Sequence, residues 1–388
     1  MNQFLSNRAR NIEESKSLQF FKSVKEVMNQ GHEVVSLIVG EPDTRASLPV
    51  VEATIKALQE GKSGYSMVAG EPELRSQLAN YYNKKGWHVT DKNFFVSAGS
   101  KQSLYNLFQV LINPGDEVII FKPYWVTFPE SVKLAGGVPK FVECDAEFLP
   151  NIDSFKKSIT KKTKLIILNN PNNPSGVVYP EKCLREIFKL AEENDLLIIS
   201  DEAYDALVFN KEFKELAPLL DPEMKRVITT KTFSKTFSMT GFRLGFTIAP
   251  EALFAPMDKF QGHMMGNCTT FAQYGAIAAL NTSDKELEKY RATYQRRGQI
   301  AYELFSPLVK VLKPQGAFYL FADIRPLLKG TMKTSEEFCL KLLKDQKLAL
   351  LPGSAFGLEG YIRISFAAGE DSVVKGASLL KKFLEAER

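Results

Sequence analysis

Residues 165–204 read LIILNNPNNPSGVVYPEKCLREIFKLAEENDLLIISDEAY. The runs LIILNN and LLIIS are short and continuously apolar. Between them lie a Pro/Asn-rich turn and a helical pattern over Pro180–Glu193. Strands with no polar alternation are buried on both faces, and parallel sheets with helical crossovers produce that pattern. The same unit recurs on either side. FFVSAG, from Phe94, precedes a helix over Ser100–Ile112. EVIIF, from Glu117, precedes a helix over Tyr124–Leu134, in which Pro129 fits poorly. VPKFVEC, RVITTKT and RLGFTIA read as further strands. Residues 45–285 therefore predict a large α/β domain around a doubly wound, mostly parallel, seven-stranded sheet.

After a helix near Asp284–Leu304 the pattern changes. GAFYLFADI, LALLPGSAF and YIRISFA predict strands of a smaller α+β unit over 286–388, closed by a helix over Asp371–Ala386. Residues 1–44 contain a helix over Leu18–Gln30 (apolar at Leu18, Phe21, Val24, Val27 and Met28) and the strand VVSLIVGEPD, and are expected to pack with that unit. A length of 388 residues suits two domains.

Composition excludes several classes. The net charge of +5 is spread along the chain, and its one dense run, Lys156–Lys164, has no interleaved aromatics, so no nucleic-acid surface is expected. Four scattered cysteines and three histidines form no CxxC or other metal-ligand spacing. No apolar run reaches the ~18 residues of a spanning helix, and the N-terminus has no secretory h-region. A cytoplasmic protein without membrane or metal is expected.

In open α/β sheets ligands bind beyond the carboxyl ends of the strands, and polar residues fall at those ends here. Gly99-Ser100-Lys101 opens a helix, either as an ordinary turn or as a phosphate cradle. Tyr124-Trp125 follows EVIIFKP; Trp125 is a core aromatic or a stacking surface for a flat ring. Asn173 lies between two Asn-Pro pairs, as a turn residue or a donor. Asp201 ends a buried strand, where a carboxylate either caps the next turn or pairs with a cation. Tyr204 lies three residues on, within reach of the same ligand as Asn173. In TFSKTFSMTGFRLG (232–245), Lys235 stands among hydroxyls with Arg243 flanked by glycines, the set a Schiff-base lysine and a phosphate need. In YIRISFA, alternation puts Arg363 opposite Ile362 and Ile364, as a salt-bridge partner or an anion clamp.

Taken in this order, with GEPD (40–43) and YSMVAGEPELR (65–75), the motifs resemble the class I aminotransferases, the fold-type-I pyridoxal-phosphate family that includes aspartate aminotransferase. The likeness spans nearly the whole chain. It implies that Lys235 carries pyridoxal 5′-phosphate and shuttles the substrate proton. It implies that Asp201 pairs with the ring nitrogen, that Asn173 and Tyr204 bind the ring hydroxyl, and that Trp125 stacks on the ring. Ser100, Lys101, Thr232, Ser234 and Arg243 then hold the phosphate, joined by Tyr65 from the partner of a homodimer. Arg363 clamps the substrate α-carboxylate beside Gly40.

One branch of the family reads the distal carboxylate with an arginine that this chain lacks, since no arginine occurs from Glu251 to Tyr290. Lys101 matches the lysine that another branch uses instead. Transamination between aspartate and 2-oxoglutarate is the expectation. Aromatic amino acids, prephenate or alanine are alternative substrates, and C–S bond cleavage is a rival reaction on the same scaffold.

Overall fold

The computed structural model describes residues 4–387 except 15, 210–212 and 331. Strand β1 is Val35–Ser36. The central sheet contains β2 (Phe94–Ser97), β3 (Glu117–Phe121), β4 (Val138–Val142), β5 (Thr163–Asn169), β6 (Leu197–Asp201), β7 (Val227–Thr232) and β8 (Gly245–Ile248). Their order across the sheet is β2-β8-β7-β6-β5-β3-β4. Strands β4, β3, β5, β6 and β7 run parallel, and β8 runs antiparallel to both its neighbours. This is the seven-stranded, mostly parallel sheet expected. Leu165, Ile166, Ile198 and Ile199 are fully buried, as strands covered on both faces must be. The crossover helix Glu181–Glu193 buries Cys183, Leu184, Ile187, Leu190 and Ala191, one stripe at helical spacing.

The remaining strands are β9 (Lys310–Val311), β10 (Tyr319–Asp323), β11 (Leu348–Ala349), β12 (Leu351–Pro352) and β13 (Tyr361–Ser365). A four-stranded antiparallel sheet has the order β12-β13-β10-β9. Strand β1 pairs in parallel with β11, Val35 opposite Leu348. The N-terminal segment is thereby hydrogen-bonded to the C-terminal third.

Several local expectations need correction. VVSLIVGEPD holds only a two-residue strand, although Leu37 still bonds Ala349 through its backbone N–H at 3.0 Å. The helix Lys16–Asn29 buries Phe20 and Val24, while Leu18 and Met28 are exposed. Its inward face is thus rotated from the one predicted. The helix expected from Tyr124 begins at Thr127, because the Tyr124 N–H is taken by the Phe356 carbonyl at 3.1 Å. Pro129 then falls in the first turn, where its missing N–H has no helical partner to lose. Pro180 caps its helix from outside.

Lys231 gives no warning in the sequence. Alternation along β7 points its side chain away from the face used by Thr230 and Thr232, and its ammonium is buried among Glu202, Asp205 and Glu215 at 3.0, 2.7 and 2.6 Å. Three carboxylates around one cation are tolerable only while the cation is present. Lys231→Met is expected to lower the unfolding free energy by about 3–5 kcal/mol at pH 7, read from urea denaturation. The loss should shrink at pH 5, where the stranded carboxyls take up protons. A loss below about 1 kcal/mol would show that the cluster relaxes without its lysine.

Candidate active site

Parallel register sets the floor of the site. Asn169 on β5 stands opposite Asp201 on β6, which stands opposite Thr230 on β7. All three are buried at the carboxyl ends of their strands. The Thr230 hydroxyl donates to the Asp201 carboxylate at 3.2 Å, and the Asn169 amide donates to the Asp201 backbone carbonyl at 3.1 Å. No cation is paired with Asp201 among the described residues. Burial first, with the Glu202 charge adding to it and the Thr230 hydrogen bond opposing, pushes its carboxyl up to about 7.

Above this floor is a cavity of about 840 Å³. Lys235, in the short helix Phe233–Thr236 that follows β7, projects into it and donates to the Gly40 carbonyl at 2.5 Å. Burial lowers the Lys235 amine to about 8; Glu41 opposes the shift, and Arg363 and Arg243 assist it. The helix is held by Thr232, whose hydroxyl accepts from the Ser234 N–H at 3.1 Å and lies 3.2 Å from the Leu244 carbonyl. The Thr232 hydroxyl expected to bind phosphate is thus engaged with the backbone.

One wall is the start of the helix Ser100–Leu111. Its cap residue, Gly99, has φ +80° and no side chain. The positive φ favours glycine, and a Cβ there would also push on the Arg243 guanidinium, 2.9 Å away. Arg243 itself sits at φ 55°, a left-handed backbone that is strained for arginine. It donates to the Thr240 carbonyl at 2.8 Å and, among the described residues, to no carboxylate. Lys101 lies at the exposed rim with its ammonium 5.2 Å from the centre of the Trp125 ring. Partial burial, then Arg243, lowers its pKa. Trp125 is half-buried, edge-on to Phe128, and lines the cavity.

The opposite wall comes from the four-stranded sheet. Arg363 on β13 is buried and donates to the Asn173 side-chain oxygen at 3.0 Å and to the Ile38 carbonyl at 2.7 Å. Its Nε has no partner among the described residues. With its oxygen taken, Asn173 has only its amide to offer the cavity. Tyr204 is buried, and its hydroxyl lies 2.8 Å from that of Tyr319.

Gly40, Ser100, Lys101, Trp125, Asn173, Asp201, Tyr204, Thr232, Ser234, Lys235, Arg243 and Arg363 therefore line one cavity. Tyr65 does not; it is fully exposed and stands outside. Sequence reasoning passed over Asn169, Thr230 and Tyr319. Asn169 lies within LIILNN and Thr230 within RVITTKT, each read there only as part of a strand, and Tyr319 is one aromatic among several in GAFYLFADI.

A family model described as aminotransferase class I and II matches residues 32–377. This chain belongs to that aminotransferase family. The aminotransferase is 36% identical to the aspartate aminotransferase of Bacillus sp. (strain YM-2), over 99% of this chain and 100% of that one. It is 38% identical to a probable aspartate/prephenate aminotransferase of Aquifex aeolicus, over 99% and 100%. The solved aspartate aminotransferase of Thermotoga maritima superposes with a TM-score of 0.93 at 34% identity, covering 98% of this chain and 100% of that one. The family depends on pyridoxal 5′-phosphate and acts on small molecules. Among the described residues no helix is long and apolar enough to cross a membrane, and no cluster of metal-ligating side chains occurs.

The Asp201 carboxyl gives the apo-protein a pH signature. Unfolded, it loses its proton near 3.8; folded, near 7. Between these values the folded state holds the extra proton, so stability falls as pH rises. At about 1.4 kcal/mol per pH unit, wild type should lose up to about 4 kcal/mol relative to Asp201→Asn between pH 4 and 7. Parallel denaturation curves for the two proteins across this range would remove the assignment.

Proposed function

We propose that this aminotransferase moves the amino group of aspartate to 2-oxoglutarate, with Lys235 as its cofactor-bearing lysine and proton carrier. The observation that carries the proposal is a buried carboxylate without a cation, Asp201, in one cavity with an amine lowered to about 8, Lys235. Pyridoxal phosphate fits that cavity. Its ring nitrogen is the missing cation, and the Gly99 cradle with Arg243 suits its phosphate. When bound, the cofactor supplies an aldehyde that captures amines and a protonated ring that withdraws electrons.

The chain's own groups do the rest. Asp201 keeps the proton on the ring nitrogen. The Asn173 amide and the Tyr204 hydroxyl donate to the ring hydroxyl oxygen, and Trp125 covers the ring face. The backbone at Ser100 and Lys101, with Ser234 and Arg243, holds the phosphate, and Thr232 contributes by capping the lysine's helix. Arg363 fixes the α-carboxylate of the amino acid against the cavity floor, and its unpartnered Nε supports that role. Near neutral pH a fraction of the Lys235 amine is unprotonated, so it would take the proton from the substrate α-carbon and give it up at the cofactor's C4′, the displacement that amino-group transfer requires.

The Lys101 side chain reads the distal carboxylate. Its ammonium has no carboxylate partner among the described residues and rests over the Trp125 ring, and the Bacillus relative is named for aspartate. The Aquifex relative is named for both aspartate and prephenate, which supports prephenate as a second substrate here, since a flexible point charge accepts it more readily than a bidentate arginine does. We assign residues 1–44 and 286–388 to a small domain and 45–285 to the cofactor domain. We also infer a cytoplasmic homodimer in which Tyr65 reaches the partner's phosphate. Exposed Leu48, Val51, Ile55 and Leu58 on one helix, beside exposed Tyr65 and Met67, support the interface. Four free cysteines support a reducing compartment.

The purified protein should absorb in the visible, and aspartate should bleach that band. Borohydride treatment followed by intact-mass measurement should show the cofactor on wild type and not on Lys235→Ala; an equal adduct on both proteins rejects the lysine. Lys101→Ser should raise KM for aspartate by roughly 10- to 100-fold, with KM for alanine changed less than about threefold. Equal effects on both amino acids would remove the acidic-substrate reading.

A further inference from the structure

We propose that Tyr319 is a positioning residue that passes the electrostatic field of the Arg363 guanidinium to the hydroxyl of Tyr204. The inference rests on the cofactor reading of the site. Three contacts place Tyr319 between the two. The Arg363 guanidinium lies 4.2 Å from the centre of its ring. Its hydroxyl lies 2.8 Å from the Tyr204 hydroxyl, with the two rings edge-to-face at 81°. A Cβ at Gly40 would overlap the same hydroxyl, so the glycine leaves the space that the hydroxyl occupies.

Two phenols sharing one hydrogen bond have one donor and one acceptor. A cation over the Tyr319 ring withdraws density from it and makes it the better donor. Tyr319 then donates to Tyr204, and the Tyr204 hydrogen is free to point into the cavity at the cofactor's ring oxygen. A substrate carboxylate on Arg363 weakens that field. Occupancy of the carboxylate clamp thereby alters how strongly Tyr204 donates, without moving the backbone. The charged groups facing the pair are Arg363 from β13, Asp201 from β6, and Lys235, whose amine bonds the Gly40 carbonyl.

The test uses the holoenzyme, with the pH midpoint of the bound cofactor's visible absorbance as the main readout. Tyr319→Phe keeps the ring under Arg363 and removes the hydroxyl. It should raise that midpoint by about half a unit or more, because the anionic ring oxygen loses support. It should weaken cofactor retention about three- to tenfold and leave amino-acid KM within about twofold. Tyr319→Leu, which also removes the ring, should raise KM as well. In a Tyr204→Phe background, adding Tyr319→Phe should move the midpoint no further. An unmoved midpoint in Tyr319→Phe overturns the relay, as does an additive shift in the double variant. A lowered apo-protein melting temperature with an unmoved midpoint reduces Tyr319 to a packing role and overturns the relay too. Absence of a visible band in wild type overturns the cofactor reading along with the relay, whereas a normal band with an unmoved midpoint overturns the relay alone.

Discussion

The site is organised around the burial of one carboxylate. Asp201 is 3% exposed at the end of a strand that is otherwise Leu, Ile and Ser. Its neighbours in register, Asn169 and Thr230, give it hydrogen bonds but no charge. A carboxyl placed so is held near neutrality until a cation arrives. The other walls make sense from this floor. Lys235 is brought over it by the next strand, and Arg363 and Asn173 close it from the side.

The larger sheet was legible because its strands are short apolar runs separated by amphipathic helices. Leu165–Leu168 and Leu196–Ile199 can only be covered on both faces, and the intervening helix fixes parallel pairing. The motif residues were legible for a related reason. A polar side chain directly after such a run stands at a carboxyl edge, and the edges of parallel strands align. Asp201 follows its run directly, while Asn173 and Lys235 lie in the turns that leave the ends of β5 and β7. What the residues do was read by resemblance, since nothing in LLIISDEAY by itself distinguishes a turn cap from an ion partner.

The parts that stayed hidden depend on distant segments. The two-residue β1 is an edge pairing whose partner lies more than three hundred residues away, so its length is set by β11 rather than by VVSLIVG. The rotated face of the helix Lys16–Asn29 has the same cause: its burial is decided by what packs against it. Tyr319 lies in YLFAD among Phe318, Leu320 and Phe321, all equally buried, so nothing in the strand singles it out from core. Lys231 is hidden differently. Its partner Glu202 lies beside the Asp201 that drew attention, while its partners Asp205 and Glu215 lie in turns with no period to read.

Strand β1 meets β11, and Arg363 donates to the carbonyl of Ile38. Almost the whole chain lies between these partners. A growing polypeptide emerging from the ribosome can assemble β2 to β8 and bury Asp201 long before residue 363 exists. Strand β1 stays without its sheet partner until β11 has been made, and the Ile38 carbonyl without its donor until Arg363 has. The contacts of Arg363 with Ile38 and Asn173 are therefore completed only at the end of synthesis, and a fragment released early has the Asp201 floor without Arg363 beside it.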